Sequence, residues 1–371
     1  MRQAAYILLV IGLKRKELFQ IGKIIIIMIG AVAGIFLALG YSEECRSGIE
    51  KGIGFCLEIL IPSLFFFMVI SAFLVQSGVC EILCRPLERL SRLLFKLPHQ
   101  SAAVILLSMI GGYPVGASCT AIMAREGRLS PSQAAKTAYI AVAAGPGFLV
   151  NYIGTALLGN VHAGYILLVS QIVAVIVTGI IVGHTVKSEA PAHYGVHKTA
   201  GRNLLVGAVE NASRAAAGMC GMVVIFCALS EVLDTVIPSA QVCDIASAIT
   251  EITNGCHRLS GKTPLFLTAF FIGFGGLSVH CQIFSILTDV PLKKALFFLF
   301  RIIEGMICLC ATYIYLMVTP TATTVFSSVN AAPSAARSAT LAGSAALVIS
   351  SLLFVGSVAS KSVVASDKRI G

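Results

Sequence analysis

Apolar residues in this chain gather into long blocks instead of alternating with polar ones. Ile24–Tyr41, Ile53–Val75, Ala163–Gly183 and Leu341–Val358 each supply the roughly 20 residues a helix needs to cross a hydrocarbon core. The same pattern predicts full crossings at 24–41, 53–75, 134–154, 162–183, 214–233, 295–318 and 340–358. Two further apolar stretches, 101–124 and 264–287, are interrupted in the middle. Ile82–Leu97 instead puts Leu83, Leu87, Leu90, Leu94 and Leu97 on one helical face and Arg85, Arg89, Arg92 and Lys96 on the other. That amphipathic pattern predicts a helix lying in the membrane interface. A second amphipathic segment, Gln241–Arg258, aligns Val242, Ile245, Ile249, Ile252 and Cys256.

Composition turns this pattern into a class. Of the 371 residues, 57% are apolar and 12% charged, with a mean hydropathy of +0.91. A soluble domain carries roughly 25% charged residues, so too few ionisable side chains are present to cover a soluble surface. The chain is therefore expected to be an all-α polytopic membrane protein in contact with the lipid bilayer. Its excess of 27 Lys and Arg over 17 Asp and Glu flanks the apolar blocks, where such residues set orientation, and does not call for nucleic acid. The 12 cysteines form no CxxC pair, so neither a zinc site nor a disulfide framework is expected. No P-loop, nucleophile elbow or HExxH motif is present, so no enzyme and no cofactor are expected.

The parts recur in one order: crossing, amphipathic helix, broken segment, crossing, crossing. Shifting the chain by 162 residues lays Gly111-Gly112-Tyr113-Pro114 on Gly273-Phe274-Gly275-Gly276. Re-entry of each broken segment leaves three crossings per half, and an odd number inverts the second half, as in many secondary transporters. Residues 1–50 then hold an N-terminal tail and a first transmembrane helix, 51–200 a first repeat, and 201–371 a second repeat with a low-complexity loop at 319–339 and a final helix. The run Ala38-Leu39-Gly40 loosely fits a signal-peptidase site, but an uncleaved first span is the expectation. Arg85–Lys96, Arg125, Arg128 and Lys187 fall on one side, expected to be cytoplasmic. Strict inversion with 264–287 re-entrant puts Lys293 and Lys294 on the other side; a complete crossing by 264–287 would bring them back and spoil the symmetry.

Candidate chemistry sits at the breaks. Ser101–Ile110 reaches only mid-bilayer before Gly111, Gly112, Tyr113, Pro114 and Gly116 interrupt it, with Ser118 just beyond. Gly275 and Gly276 interrupt the other segment, followed by Ser278, His280 and Gln282. Gly145-Pro146-Gly147 breaks the crossing 134–154, with Asn151 one turn on, and Glu251, Asn254 and Arg258 share a face of the second amphipathic segment. A helix broken within hydrocarbon frees backbone groups that must face protein, water or ligand, and half-helix N-termini suit an anionic or polar solute. The other reading of the glycines is close helix packing, of Glu251–Arg258 a solvated face, and of His280 a satisfied core histidine. Glu210/Arg214 and Arg301/Glu304 are spaced for intrahelical pairs and are read as structural.

Taken together, Gly111–Ala117, Arg125-Glu126-Gly127, Gly145-Pro146, Glu251-Ile252-Thr253-Asn254-Gly255 and Gly273–Gln282 resemble the YlbJ-type sporulation integral membrane proteins, of the group carrying nucleoside-recognition (Gate) domains. The resemblance covers about residues 50–318. It implies a multi-pass protein of the bacterial cell membrane or outer forespore membrane and transport of a small organic anion, with dipicolinate as the candidate solute. A nucleoside transporter and a non-transporting protein of spore envelope assembly are the alternatives, and association of copies into a homo-oligomer stays open.

Overall fold

The computed structural model describes residues 15–188 and 203–319, which are helical with no strand among them. The predicted crossing at 340–358 and the low-complexity stretch beyond Thr319 lie outside these residues. Helix α1 covers Arg15–Gly40. Among the described residues, five apolar stretches are long enough to cross a membrane. They are α2 (Ser42–Gln76), α8 (Val161–Thr185), α9 (Leu204–Val236), the interrupted pair spanning Leu265–Ile286, and α14 (Lys294–Val318). Helix α3 (Val79–Leu94) lies at 98° to α4 (His99–Gly111), the attitude its basic and apolar faces predict for an interfacial helix.

The two ends of the bundle are fixed by polar contacts. At one end Arg128 donates to the Val75 carbonyl (2.6 Å) and to Glu81 and Glu126. Lys136 there donates to the Gly183 carbonyl (3.1 Å). At the opposite end Lys51 meets Glu231 (2.9 Å), and Arg258 pairs with both Asp234 and Asp244. Ser260 also bonds the Leu157 carbonyl there (3.3 Å).

Between these ends the chain makes two hairpins and two interrupted spans. Helix α4 descends from the Arg128 end, and α5 (Tyr113–Arg125) returns to it. The fold-back is tight: a Cβ on Gly116 would lie 2.8 Å from the Ser108 Cβ, eight residues away, whereas eight residues of straight helix span about 12 Å. Helices α6 (Pro131–Ile140) and α7 (Gly147–Leu157) then run from one end to the other. In the second half α10 (Ala240–Thr250) and α11 (Ile252–Leu259) form a hairpin from the opposite end, where a Cβ on Gly255 would lie 2.2 Å from the Ala248 Cα. Helices α12 (Leu265–Phe274) and α13 (Gly276–Ile286) cross with a break. Each half therefore reads span, hairpin, interrupted span, span, with the second running the other way. The base of each hairpin is pinned by an arginine, Arg128 or Arg258, to acids beside the preceding span.

Two sequence expectations are corrected here. The segment Gln241–Arg258 is not one interfacial helix: Glu251 is extended (φ −141°, ψ 116°), so Val242, Ile245 and Ile249 face outward while Ile252 and Cys256 are buried. The partner of the 101–124 hairpin is thus 240–259, and the partner of 264–287 is the interrupted crossing 131–157. Because 264–287 crosses completely, Lys293 and Lys294 fall at the Arg125 end, and the symmetry survives because 240–259 re-enters instead.

Candidate functional site

A break in a helix strands carbonyls as well as N–H groups, and at membrane depth each needs a partner. The break between α6 and α7 is served from α14. Arg301 donates to the carbonyls of Tyr139 (2.8 Å) and Val142 (2.7 Å). Its charge is met by Glu304 (2.6 Å), which also accepts from Gln171 of α8 (2.8 Å). Arg301 and Glu304 are both fully buried. The pair foreseen as structural therefore acts as the cap of a broken helix, a favourable place for a cation. In contrast, no ion pair joins Glu210 and Arg214 among the described residues; both face a cavity.

The break between α12 and α13 is built by two consecutive glycines with positive φ, Gly275 at 88° and Gly276 at 74°, a conformation that side chains disfavour. Its free carbonyls are taken by side chains. The Tyr113 hydroxyl, at the tip of the first hairpin, donates to the Ile272 carbonyl at 2.7 Å. His280 Nε2 lies 2.9 Å from the Phe274 carbonyl; a carbonyl only accepts, so Nε2 carries the hydrogen. The His280 ring is enclosed by Phe274, Phe297 and Phe298.

All four breaks meet. A Cβ on Gly145 would lie 3.0 Å from the Gly112 nitrogen, and one on Gly276 would lie 3.1 Å from the Ile252 nitrogen. Gly112, Tyr113, Pro114, Gly145, Glu251 and Gln282 line one small junction cavity of about 20 Å³, room for a single water. Helices α5, α7, α11 and α13 begin here, so their first N–H groups and partial positive charge gather at one place. The α11 start is already capped by its own Glu251, which accepts from the Asn254 nitrogen at 2.6 Å.

A second cavity, of about 410 Å³, shares Met219 and Gln282 with the junction and runs to the Arg128 end. It is of the size that small ligands occupy. Ser118, Arg125, Glu210, Arg214, Ser285 and Asp289 are among its lining residues. A cavity of equal volume at the opposite end is more apolar, lined by Leu157, Leu259, Tyr313 and Met317 among others.

The sequence-derived candidates divide accordingly. Gly112, Tyr113, Pro114, Glu251 and Gln282 line the junction; Gly275 and Gly276 shape the break beside it. Gly111 and Gly116 shape the first hairpin, and Pro146 precedes α7. Ser118 lines the larger cavity. Asn254 and Ser278 are fully buried, and neither the Asn254 amide nor the Ser278 hydroxyl has a partner in the protein. Asn151 is exposed on α7, away from the junction. Missed by the sequence were Gly145, Met219, Arg125 and Arg214. Gly145 lies within the Gly-Pro-Gly break, Arg125 in the Arg125-Glu126-Gly127 motif and Arg214 in a pair read as structural, so each has a local signal that points elsewhere; Met219 has none.

Comparison with known proteins adds one relative: a sporulation integral membrane protein YlbJ of Bacillus subtilis (strain 168), 22% identical over 324 residues, covering 74% of this chain and 79% of the relative. No family model and no solved structure matches the chain.

Proposed function

The chain is a YlbJ-type sporulation integral membrane protein, and from that premise we propose that it carries a small organic anion, with dipicolinate as the candidate, across the outer forespore membrane. The observation that carries this reading is the meeting of four helix breaks at one buried junction between two oppositely running halves. Such a junction is where secondary transporters hold their solutes. The larger cavity supports it further: it leads from the Arg128 end to Gln282 at the junction, a polar route lined by two arginines, Arg125 and Arg214, two acids, Glu210 and Asp289, and the hydrogen-bonding side chains Ser118, Asn211 and Ser285.

In this reading the structure is a closed-junction state open towards the Arg128 end. An aromatic dicarboxylate fits the 410 Å³ cavity and not the 20 Å³ junction, so binding must part the hairpin tips. The fixed ends of the hairpins supply the hinges: the Arg128 contacts at one end and the Arg258 contacts at the other let one tip move while the other stays. Basic residues concentrate at the Arg128 end, with Arg85, Arg89, Arg92, Arg125, Lys293 and Lys294, which supports reading that end as the cytoplasmic one.

Purified protein in proteoliposomes is expected to take up labelled dipicolinate, and Gly276→Leu is expected to reduce uptake to background. That side chain would be driven against the Ile252 nitrogen from a backbone at φ 74°. Equal uptake by the two proteins removes the junction from the account. Uptake suppressed equally by unlabelled nucleoside and unlabelled dipicolinate replaces the solute, and no uptake by the wild type returns the protein to spore envelope assembly.

A further inference from the structure

Glu251 is buried at the tip of the second hairpin, 1% exposed, and faces the junction cavity. One carboxyl oxygen, Oε2, accepts from the Asn254 nitrogen of its own turn. The other, Oε1, has no partner in the protein. Among the described residues no ion pair includes Glu251, and the buried or half-buried cations nearby are committed elsewhere: Lys51 to Glu231, Arg258 to Asp234 and Asp244, Arg301 to Glu304.

The ionisable groups close enough to interact with it electrostatically are thiols and phenols, none of them a cation. Cys56 comes from α2, Tyr152 from α7, Cys227 from α9 and Cys256 from its own helix. Tyr113 of α5 lines the same cavity, and its hydroxyl is spent on the Ile272 carbonyl. On α13, His280 gives Nε2 to the Phe274 carbonyl, and its Nδ1 is buried without a partner, enclosed by phenylalanine rings. On α10, Asp244 stands at the hairpin base with Arg258 and Lys262. A carboxylate without a counter-cation at membrane depth is among the costliest groups a protein can hold, and such residues mark ion and proton paths.

We propose that Glu251 is the binding site of a co-transported proton. With the junction open to one side, the carboxylate takes up one proton and becomes a neutral acid. Only in that form can the hairpin tip close as seen here, with Oε1 buried against the cavity. Opening to the other side rehydrates the group, which releases the same proton and returns as a carboxylate. One proton then crosses per cycle, and a dianion crossing with it moves one net negative charge. The anion in this scheme rests on the transport reading above; the proton does not.

Two measurements separate the claims. Infrared difference spectra of the purified protein in lipid are expected to contain a protonated-carboxyl C=O band that Glu251→Gln removes, the amide keeping an oxygen for the Asn254 N–H. No such band, or one that persists in Glu251→Gln, overturns the proposal whether or not dipicolinate is carried. In proteoliposomes with the membrane potential clamped at zero, one-to-one coupling raises the accumulation ratio of dipicolinate about tenfold for each pH unit by which the outside is more acidic than the lumen. Any uptake that Glu251→Gln retains is expected to ignore that gradient. Wild-type uptake indifferent to the gradient overturns proton coupling and leaves anion transport standing. A band present with no dipicolinate uptake removes the solute and retains the proton site.

Discussion

Replacing Arg301 by methionine is expected to destabilise the protein by about 3–5 kcal/mol, the cost of breaking a buried ion pair by deleting one partner. Glu304 would be left buried with only Gln171 to meet its charge, and the Tyr139 and Val142 carbonyls would lose their donor. Methionine fills most of the volume, so the loss reports the polar network and not a cavity. Removing both charges, Arg301→Met with Glu304→Met, is expected to recover part of the loss, because the uncompensated carboxylate is gone. Recovery stays incomplete, since the broken end of α6 remains uncapped. Equilibrium unfolding in mixed micelles for the wild type, both single variants and the double variant gives the coupling energy directly. A double variant no better than Arg301→Met would mean that the guanidinium matters through the carbonyls alone.

Gly116→Val is expected to cost at least about 3 kcal/mol, beyond the usual range of core overpacking. A Cβ there would fall 1.9 Å from the Ala141 carbonyl oxygen and 2.8 Å from the Ser108 Cβ. The first neighbour is backbone at the α6–α7 break and the second stands on α4, the descending arm of the same hairpin, so neither can swing aside. The protein that does fold is expected to have its first hairpin displaced from the junction and to carry no dipicolinate. Gly221→Ala on α9, where a Cβ meets nothing within 4 Å, is the matched control and should stay within about 0.5 kcal/mol of wild type. Thermal unfolding in detergent with uptake measured on the same preparations checks both halves.

These two positions also show how much of the molecule can be read from its sequence. The first hairpin and the α12–α13 break are written in glycine and proline, residues that punctuate a helix by their own backbone chemistry. The second hairpin is not. Its turn is Thr250-Glu251-Ile252, without glycine or proline, and the helix stops because Glu251 turns its carboxylate back to cap the next one. Periodicity ran straight through that point and read two helices as one. Missing the turn mispaired the halves: the segment read as a second amphipathic helix is the second hairpin, and the segment read as its broken partner is a crossing. Asn151, one turn beyond Pro146, lies on the π-helical α7 and is exposed, a facing that α-helical spacing does not give. His280 was legible as buried and polar, yet its bond to the Phe274 carbonyl depends on a break geometry that no spacing encodes. Arg301 and Glu304 were read as a local pair one turn apart. Their further work, holding carbonyls some 160 residues away in sequence, is tertiary and invisible locally.

The account stands on the junction and the larger cavity beside it being one continuous solute site. Cysteines introduced at Ser118 and at Gln282, which line that cavity, and at Asn160, which lines the cavity at the opposite end, can be alkylated in membranes and followed by mass spectrometry with and without dipicolinate. The account predicts that dipicolinate slows labelling at positions 118 and 282 and leaves position 160 unchanged. Equal rates with and without dipicolinate at 118 and 282 would contradict it.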